Sequence, residues 1–587
     1  MTITLGRSRY NLTPTIRVSV FDGHCWSGWQ AIGAQIQKTV QSLRKDKVVV
    51  TVECYPGVDP GRLLYAMQQI ISFDAACQSD DAFLDQAAIT ALIQPDLTND
   101  PVFGRITQLN VDSFFDPDKK QRLSNQITAI NSGLIVVIGT GASVLCHADL
   151  LIYADLPRWE AQLRFRRNES SNLGVSNEQA DASLQYKQAF FVDWRVADQL
   201  KTQLMGRWDY WLDTVDPHCA KMTSGAAIRG ALQQTARRPF SVVPYFDPAP
   251  WGGDWMKERF GLDPSQNNYG WSFNCVPEEN SLIFEFGATQ VESPAINVVF
   301  YQSVELLGSN VYEKFGAEFP IRFDFLDTMN GGNLSFQVHP IQDYIHEQFG
   351  MTYTQDESYY LLDAAEDACV YLGLKEKINA DEMMTALRAA QNGGAPFDAD
   401  QFAERWPAKK HDHFLIPAGT VHCSGRNSMV LEISATPYLF TFKLWDWGRL
   451  GLNGSPRPIH IHHGENVIQW ERTANWIRRE LINRVEPITV GDGWREERTG
   501  LHELEFIETR RHWFTKTVSH NTQNTVNVLC LVQGEQIVVE SPEETFEPFV
   551  VNYGEAFIVP ASVGDYCIRP TGRDITKEYA TMKAFVR

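Results

Sequence analysis

Apolar and polar positions alternate along this chain in two different ways. Up to about residue 245, short apolar runs are separated by stretches with helical spacing. Ile16-Arg-Val-Ser-Val-Phe21 reads as a buried strand and runs into Asp22-Gly23-His-Cys-Trp-Ser-Gly28. A helix then carries Ile32, Ile36, Val40 and Leu43 along one face. Residues 47–54, 134–138 and 149–155 read as three further strands, the last followed by a helix bearing Arg158, Arg164, Arg166 and Arg167. Strands separated by helices predict an α/β domain with a parallel sheet over 1–245.

The pattern changes at Pro239-Phe-Ser-Val-Val-Pro244 and Asp247-Pro-Ala-Pro-Trp-Gly-Gly253, where clustered Pro and Gly mark entry to a new domain. Beyond it the chain is rich in strands and turns, which predicts antiparallel sandwiches or barrels. We read 246–480 as one β domain and 481–587 as a second. The first carries a helical insertion at about 375–410, where Asn379-Ala-Asp-Glu382 reads as a helix N-cap. The second holds Leu531-Val-Gln-Gly534 and Gly554-Glu-Ala-Phe-Ile-Val-Pro560.

At 587 residues the chain exceeds one hydrophobic core, and its ordinary apolar fraction fits a globular protein. The formal charge of -20 opposes binding to nucleic acid or to anionic membranes. A phosphorylated ligand would need local cations to overcome that field. Residues 1–10 carry no apolar segment of signal-peptide length, and the longest apolar stretch, about 134–146, is short and broken by glycines. The ten cysteines show no CxxC spacing and read as reduced thiols, so a cytoplasmic location is expected.

The chemistry concentrates in three segments. In Leu334-Ser-Phe-Gln-Val-His339-Pro, Gln337 and His339 are two apart, on one face of a strand. Glu357 heads the run Glu-Ser-Tyr-Tyr-Leu-Leu, and in Phe414-Leu-Ile-Pro-Ala-Gly-Thr-Val-His422 a Pro-Ala-Gly turn delivers a histidine. Spacing alone leaves two readings open. The histidines are satisfied core residues, or two imidazoles, a carboxylate and an amide oxygen hold a divalent metal. The first is the commoner case for a histidine beside an apolar strand, but Glu357 within Tyr and Leu asks for a partner, because an unpartnered buried carboxylate is costly. Such a donor set suits zinc, and Mn, Fe, Co or Ni equally. His411 and His413, alternating in Lys409-Lys-His-Asp-His413, read as solvated turn residues rather than a second metal pair.

These segments, in this order, resemble the class I mannose-6-phosphate isomerases, which show Gln-Val-His-Pro, a Glu heading an aromatic strand, Ile-Pro-Ala-Gly-Thr-x-His and a Glu-Ile strand. Here the matches are Gln337 to Pro340, Glu357-Ser-Tyr-Tyr360, Ile416 to His422, and Glu432-Ile433. Further likeness lies at Phe325-Leu-Asp327, Tyr371-Leu-Gly373, Trp445-Asp-Trp447 and Arg457-Pro-Ile-His460, over roughly 248–587. The resemblance implies two cupin (jelly-roll) barrels, a zinc site of Gln337, His339, Glu357 and His422, and aldose–ketose isomerisation of mannose 6-phosphate or a related sugar through an enediol. Two departures stand out. Lys443 occupies the place of a family arginine, making it the candidate catalytic residue, and Asp324 replaces a family cation. Together they predict a less cationic pocket and a poor fit for mannose 6-phosphate.

The first domain is similar to nucleoside kinases of the uridine-kinase type. Gly23 to Gly28 fits the phosphate-loop frame GxxxxG, but Trp29 and Gln30 stand where the motif requires Lys and Ser or Thr. The domain therefore reads as a retired kinase fold without ATP hydrolysis. The alternative function is a non-catalytic metallocupin that senses a sugar; an iron oxygenase ranks below both. The expected partner is a sugar or sugar phosphate, with the oligomeric state open.

Overall fold

The computed structural model describes residues 10–435, 440–451, 454, 456–500, 502–571 and 577–587, so nearly all of the N-terminal stretch read above lies outside the described residues. The chain forms two compact units. One comprises Thr15–Thr235 with Ser281–Gln302; the other comprises 10–14, Ala236–Asn280 and Ser303–Arg587.

The first unit is built on a seven-stranded sheet. Its order is Cys25–Ser27, Lys221–Ser224, Tyr210–Asp213, Leu150–Asp155, Lys47–Cys54, Gly133–Gly139, Ala75–Gln78. The last five are parallel, and Lys221–Ser224 and Cys25–Ser27 close one edge antiparallel. Lys47–Cys54 is buried along nearly its whole length, because helices cover both faces of a parallel sheet. That explains its continuous apolar run. Of the apolar run 16–21, only Thr15–Arg17 forms a strand, and it pairs with Ser281–Phe286 in a separate three-stranded sheet. The run was period-2: Ile16 and Val18 face inward, and Val20 is 84% exposed in the 3-10 turn that follows. Consequently the Gly23–Gly28 frame enters the helix Trp29–Leu43 from an antiparallel edge strand. A phosphate loop leaves the carboxyl end of a central strand; this one does not.

The segment Ser281–Gln302 joins this unit through a buried charge network. The Lys201 ammonium, fully buried, donates to both oxygens of the equally buried Asp155 at 2.9 and 3.1 Å and to Asn297 Oδ1 at 3.2 Å. Asn297 Nδ2 and Trp211 Nε1 complete the carboxylate shell. Removing one member of such a pair strands the other charge in the core. We expect Lys201→Met to destabilise this unit by about 3–5 kcal/mol, and Lys201→Met with Asp155→Leu to recover much of that. Urea unfolding followed by tryptophan fluorescence measures both.

The second unit contains two antiparallel barrels. In the first, a six-stranded sheet runs His413–Ile416, Glu357–Ala364, Ser428–Ser434, Arg322–Asp327, Trp271–Cys275, Tyr245–Asp247. A five-stranded sheet runs Ala403–Pro407, Cys369–Leu374, His422–Ser424, Phe336–Val338, Phe442–Trp445. The helix Ala380–Gln391, capped by Asn379 accepting from the Glu382 N–H, forms the expected insertion. The second barrel pairs a six-stranded sheet, Glu486–Gly491 to Ala556–Val559, with a four-stranded one around Phe514, Leu529, Leu531, Val539, Phe557 and Ile568. No described helix is long and apolar enough to cross a membrane.

Candidate metal centre

The first barrel closes over a point to which both of its sheets contribute. Within the five-stranded sheet, Leu372 pairs with His422, His422 with Gln337 and Gln337 with Lys443, so these four side chains form one row on one face. From the six-stranded sheet, Glu357 points into the same space. Its Oε1 lies 2.8 Å from His422 Nε2, and its Oε2 lies 3.0 Å from His339 Nε2. The ligand atoms of His339, Glu357 and His422 lie within 4.8 Å of one another, and all three residues are buried.

The local sequence explains this convergence. Phe336–Val338 is a strand, and His339 follows at its end. Gly419, at φ +86°, permits the turn that brings His422 back, a conformation L side chains rarely adopt. That turn is pinned by Asp356, which accepts from the Ala418 N–H at 2.8 Å, and by Arg472, which donates to Pro417 O, Ala418 O and Thr420 Oγ1. Each imidazole uses Nδ1 on a backbone carbonyl: His339 on Phe440 O at 2.7 Å, His422 on Thr420 O at 2.9 Å. With Nδ1–H donated, both Nε2 lone pairs aim at the centre, which is how metal-ligating histidines are oriented. Although Glu357 Oε2 faces His339 Nε2 and Glu357 Oε1 faces His422 Nε2, neither His339 Nε2 nor Glu357 Oε1 makes a hydrogen bond, as fits ligand atoms converging on a shared ion. Gln337 Nε2 lies 3.1 Å from His422 Nε2, and turning the amide over presents Oε1 instead, a metal-donor oxygen. The donor set fits a divalent cation.

Electrostatics in the barrel are shaped by three carboxylates. Burial alone would raise Glu357, but the facing His339 and His422 imidazoles hold it well below the usual carboxylate range. Burial works against a charged His339, yet Glu357 raises it. Glu432 lies opposite both Tyr359 and Asp324 in the sheet. Burial, then Glu357 and Asp324, push it well above the usual carboxylate range. Asp324 is raised by burial to about 6, opposed by Arg322, whose Nε donates to it at 2.6 Å. We expect Glu432→Gln to keep the metal content and to move Tm by only a few degrees, because burial and the neighbouring carboxylates favour the neutral form that an amide mimics. Elemental analysis and thermal unfolding check this; a large loss of metal would mean that Glu432 works as a carboxylate.

Lys443 is half-buried beside Gln337. Burial and then the Arg457 guanidinium push its ammonium down to about 8. Arg449 and Arg457 both grip Asp446, at 2.6 and 2.8 Å. The sequence reading gave Arg449 no role and treated Asp446 and Arg457 only as family likeness, because isolated charges in a loop carry no periodic signal. Glu432 could have been found, since a lone carboxylate inside Met-Val-Leu-Glu-Ile is anomalous. The reading of His411 and His413 as solvated is corrected. His413 is buried in its strand and pushed down to about 3 by burial and then Arg511, while His411 Nδ1 bonds Tyr360 Oη at 2.7 Å.

Residues 28–237 match a family model described as "Domain of unknown function (DUF8485)". The mannose-6-phosphate isomerase ManA of Bacillus subtilis is 30% identical over 333 residues, covering 56% of this chain and 95% of that protein. The mannose-6-phosphate isomerase of Streptococcus mutans is 26% identical over 227 residues, covering 38% of this chain and 66% of that protein. A crystal structure of the Bacillus subtilis mannose 6-phosphate isomerase superposes with a TM-score of 0.49 at 18% identity, covering 59% of this chain and 99% of the other.

Proposed function

The chain belongs to the mannose-6-phosphate isomerase family, and on that premise we propose that its first barrel interconverts mannose 6-phosphate, or a close relative, with the ketose through an enediol. Gln337, His339, Glu357 and His422 hold the ion, and zinc suits their two imidazoles and two oxygens. The observation that carries the reading is the convergence of two oriented Nε2 atoms and a carboxylate on one buried point.

A divalent cation bound there supplies a Lewis acid for the oxygens on C1 and C2 of the sugar. The chain's own residues do the rest. Gln355 Nε2 donates to Glu357 Oε2 at 2.9 Å and orients that carboxylate. Lys443, on the same face and lowered to about 8, is placed to take the proton from one carbon and return it to the other. The expectation of a weak phosphate site rested on Lys443 in place of an arginine and on Asp324 in place of a cation; of these, the Asp324 charge is offset by Arg322, whose Nε donates to it. Arg449 and Arg457 instead add two cations near Lys443, with Asp446 as their counter-charge. That local excess answers the acidity of the chain as a whole.

We expect the metal-loaded protein to wash deuterium from D2O into mannose 6-phosphate, and unphosphorylated mannose to react at least roughly 100-fold more slowly for want of binding energy to the phosphate. NMR of both reactions tests this. Equal rates on the two sugars would remove phosphate from the substrate.

A further inference from the structure

The unit made of Thr15–Thr235 and Ser281–Gln302 contains a crevice of about 450 Å³ that the isomerase reading leaves unused. It lies at the carboxyl ends of Lys47–Cys54, Ala75–Gln78 and Gly133–Gly139. Here the connection from Lys47–Cys54 runs to the edge strand Ala75–Gln78, and that from Gly133–Gly139 runs back past it to Leu150–Asp155. Open α/β sheets bind their ligands at such reversals.

The usual ligand at this position is a phosphate on a helix N-terminus. Here the anion position is filled from within. The helix Pro60–Gln68 is capped by Asp59, whose carboxylate accepts from the Arg62 N–H at 2.9 Å, and Pro56 and Pro60 bring no N–H. The N–H groups of Gly141 and Ser143, in the loop leaving Gly133–Gly139, donate to the buried Glu53 carboxylate at 2.6 and 2.9 Å. Asp59, Asp80, Glu169 and Glu178 line the crevice, and no Lys, Arg or His is among the described residues that do. A phosphate would meet occupied donors and a negative field.

What remains on offer suits hydroxyl groups. Ser79 is 1% exposed and carries its hydroxyl in the wall of the crevice. Asp80 beside it is exposed, and Glu178 accepts from Ser171 Oγ at 2.7 Å through one oxygen, which leaves carboxylate lone pairs for a diol. Phe83 supplies an apolar wall. We propose that this crevice is a second ligand site, which takes an uncharged polyhydroxylated molecule of about hexose size through its hydroxyls. Free sugars and nucleosides share that chemistry.

The test is ligand-observed NMR and calorimetry on the full chain with four probes: D-mannose, uridine, ATP and inorganic phosphate. Either uncharged probe should bind with a dissociation constant of roughly 1 mM or tighter, and which one does so identifies the source. Binding should weaken roughly tenfold or more in Asp80→Asn and in Glu178→Gln, the latter a second variant should the former misfold. It should be unchanged in His339→Ala with His422→Ala, which empties the barrel site. Three results would each overturn the proposal: neither uncharged probe binding at up to about 20 mM, tighter binding of ATP or phosphate, or binding lost with the two histidines and kept in both carboxylate variants.

Discussion

Replacing His339 and His422 together by alanine is expected to leave a folded protein that holds almost no divalent metal and has lost isomerase activity by about 10³-fold or more. Each imidazole is fixed by a hydrogen bond from Nδ1 to a backbone carbonyl, so its Nε2 has no rotational search to make before binding. Losing both leaves Glu357 and Gln337, two oxygen donors that cannot hold a transition metal against water. The Lewis acid contributes several kcal/mol of charge stabilisation to an enediolate-like transition state, which sets the size of the loss. The fold should survive, because Gln355 still donates to the buried Glu357 carboxylate. Elemental analysis, far-UV circular dichroism and a mannose 6-phosphate assay on the same sample separate the outcomes. Full metal occupancy in the double variant would show that the ligands lie elsewhere.

This centre was legible in the sequence because its geometry is local. Two residues apart on a strand share a face, and a Pro-Ala-Gly turn with a left-handed glycine reverses the chain; neither requires knowledge of the fold. The charges that tune the site were harder to read. Glu432 gains its significance from the registers Asp324↔Glu432 and Tyr359↔Glu432, and cross-strand partners are set by topology. Arg449 and Arg457 meet at Asp446 from a loop without periodicity.

The α/β half shows the complementary case. Its central strands were readable because burial on both faces imposes long apolar runs, and Lys47–Cys54 carries the bounds expected of it. The GxxxxG frame misled because a motif has meaning only in its structural context, and here that context is an antiparallel edge. The position a phosphate loop would take belongs to Pro56-Gly57-Val58-Asp59-Pro60, whose prolines and capping aspartate give no motif to match. Nor could sequence assign Ser281–Gln302 to the first unit. Asn297 reaches Asp155 across 142 positions of chain, and a contact that distant leaves no local pattern.

Lys443 is where the chain leaves the arginine of the family it resembles, and its removal should be the other large effect. Arginine grips an oxyanion with a planar fork and stays charged when desolvated; lysine offers one compact charge whose proton burial can loosen. Burial, then Arg457, lower this ammonium to about 8, and Arg449 adds to them. The sign follows directly. A lowered lysine pKa favours the neutral amine, so the base form grows as pH rises through about 8. A divalent cation at Gln337, its neighbour in register, would lower it further. We therefore expect kcat/KM for mannose 6-phosphate to show an ascending limb centred at or below about 8. Lys443→Ala should cost roughly 10²–10⁴-fold, the usual contribution of a positioned base. Lys443→Arg should restore phosphate affinity, read in KM, without restoring kcat or the ascending limb, because guanidinium does not titrate in this range. Steady-state profiles from pH 6 to 10 on the three proteins decide it. A Lys443→Ala enzyme with unchanged rate and unchanged profile would take the residue out of the mechanism. A Lys443→Arg enzyme with full kcat would make it an anion grip rather than a proton carrier.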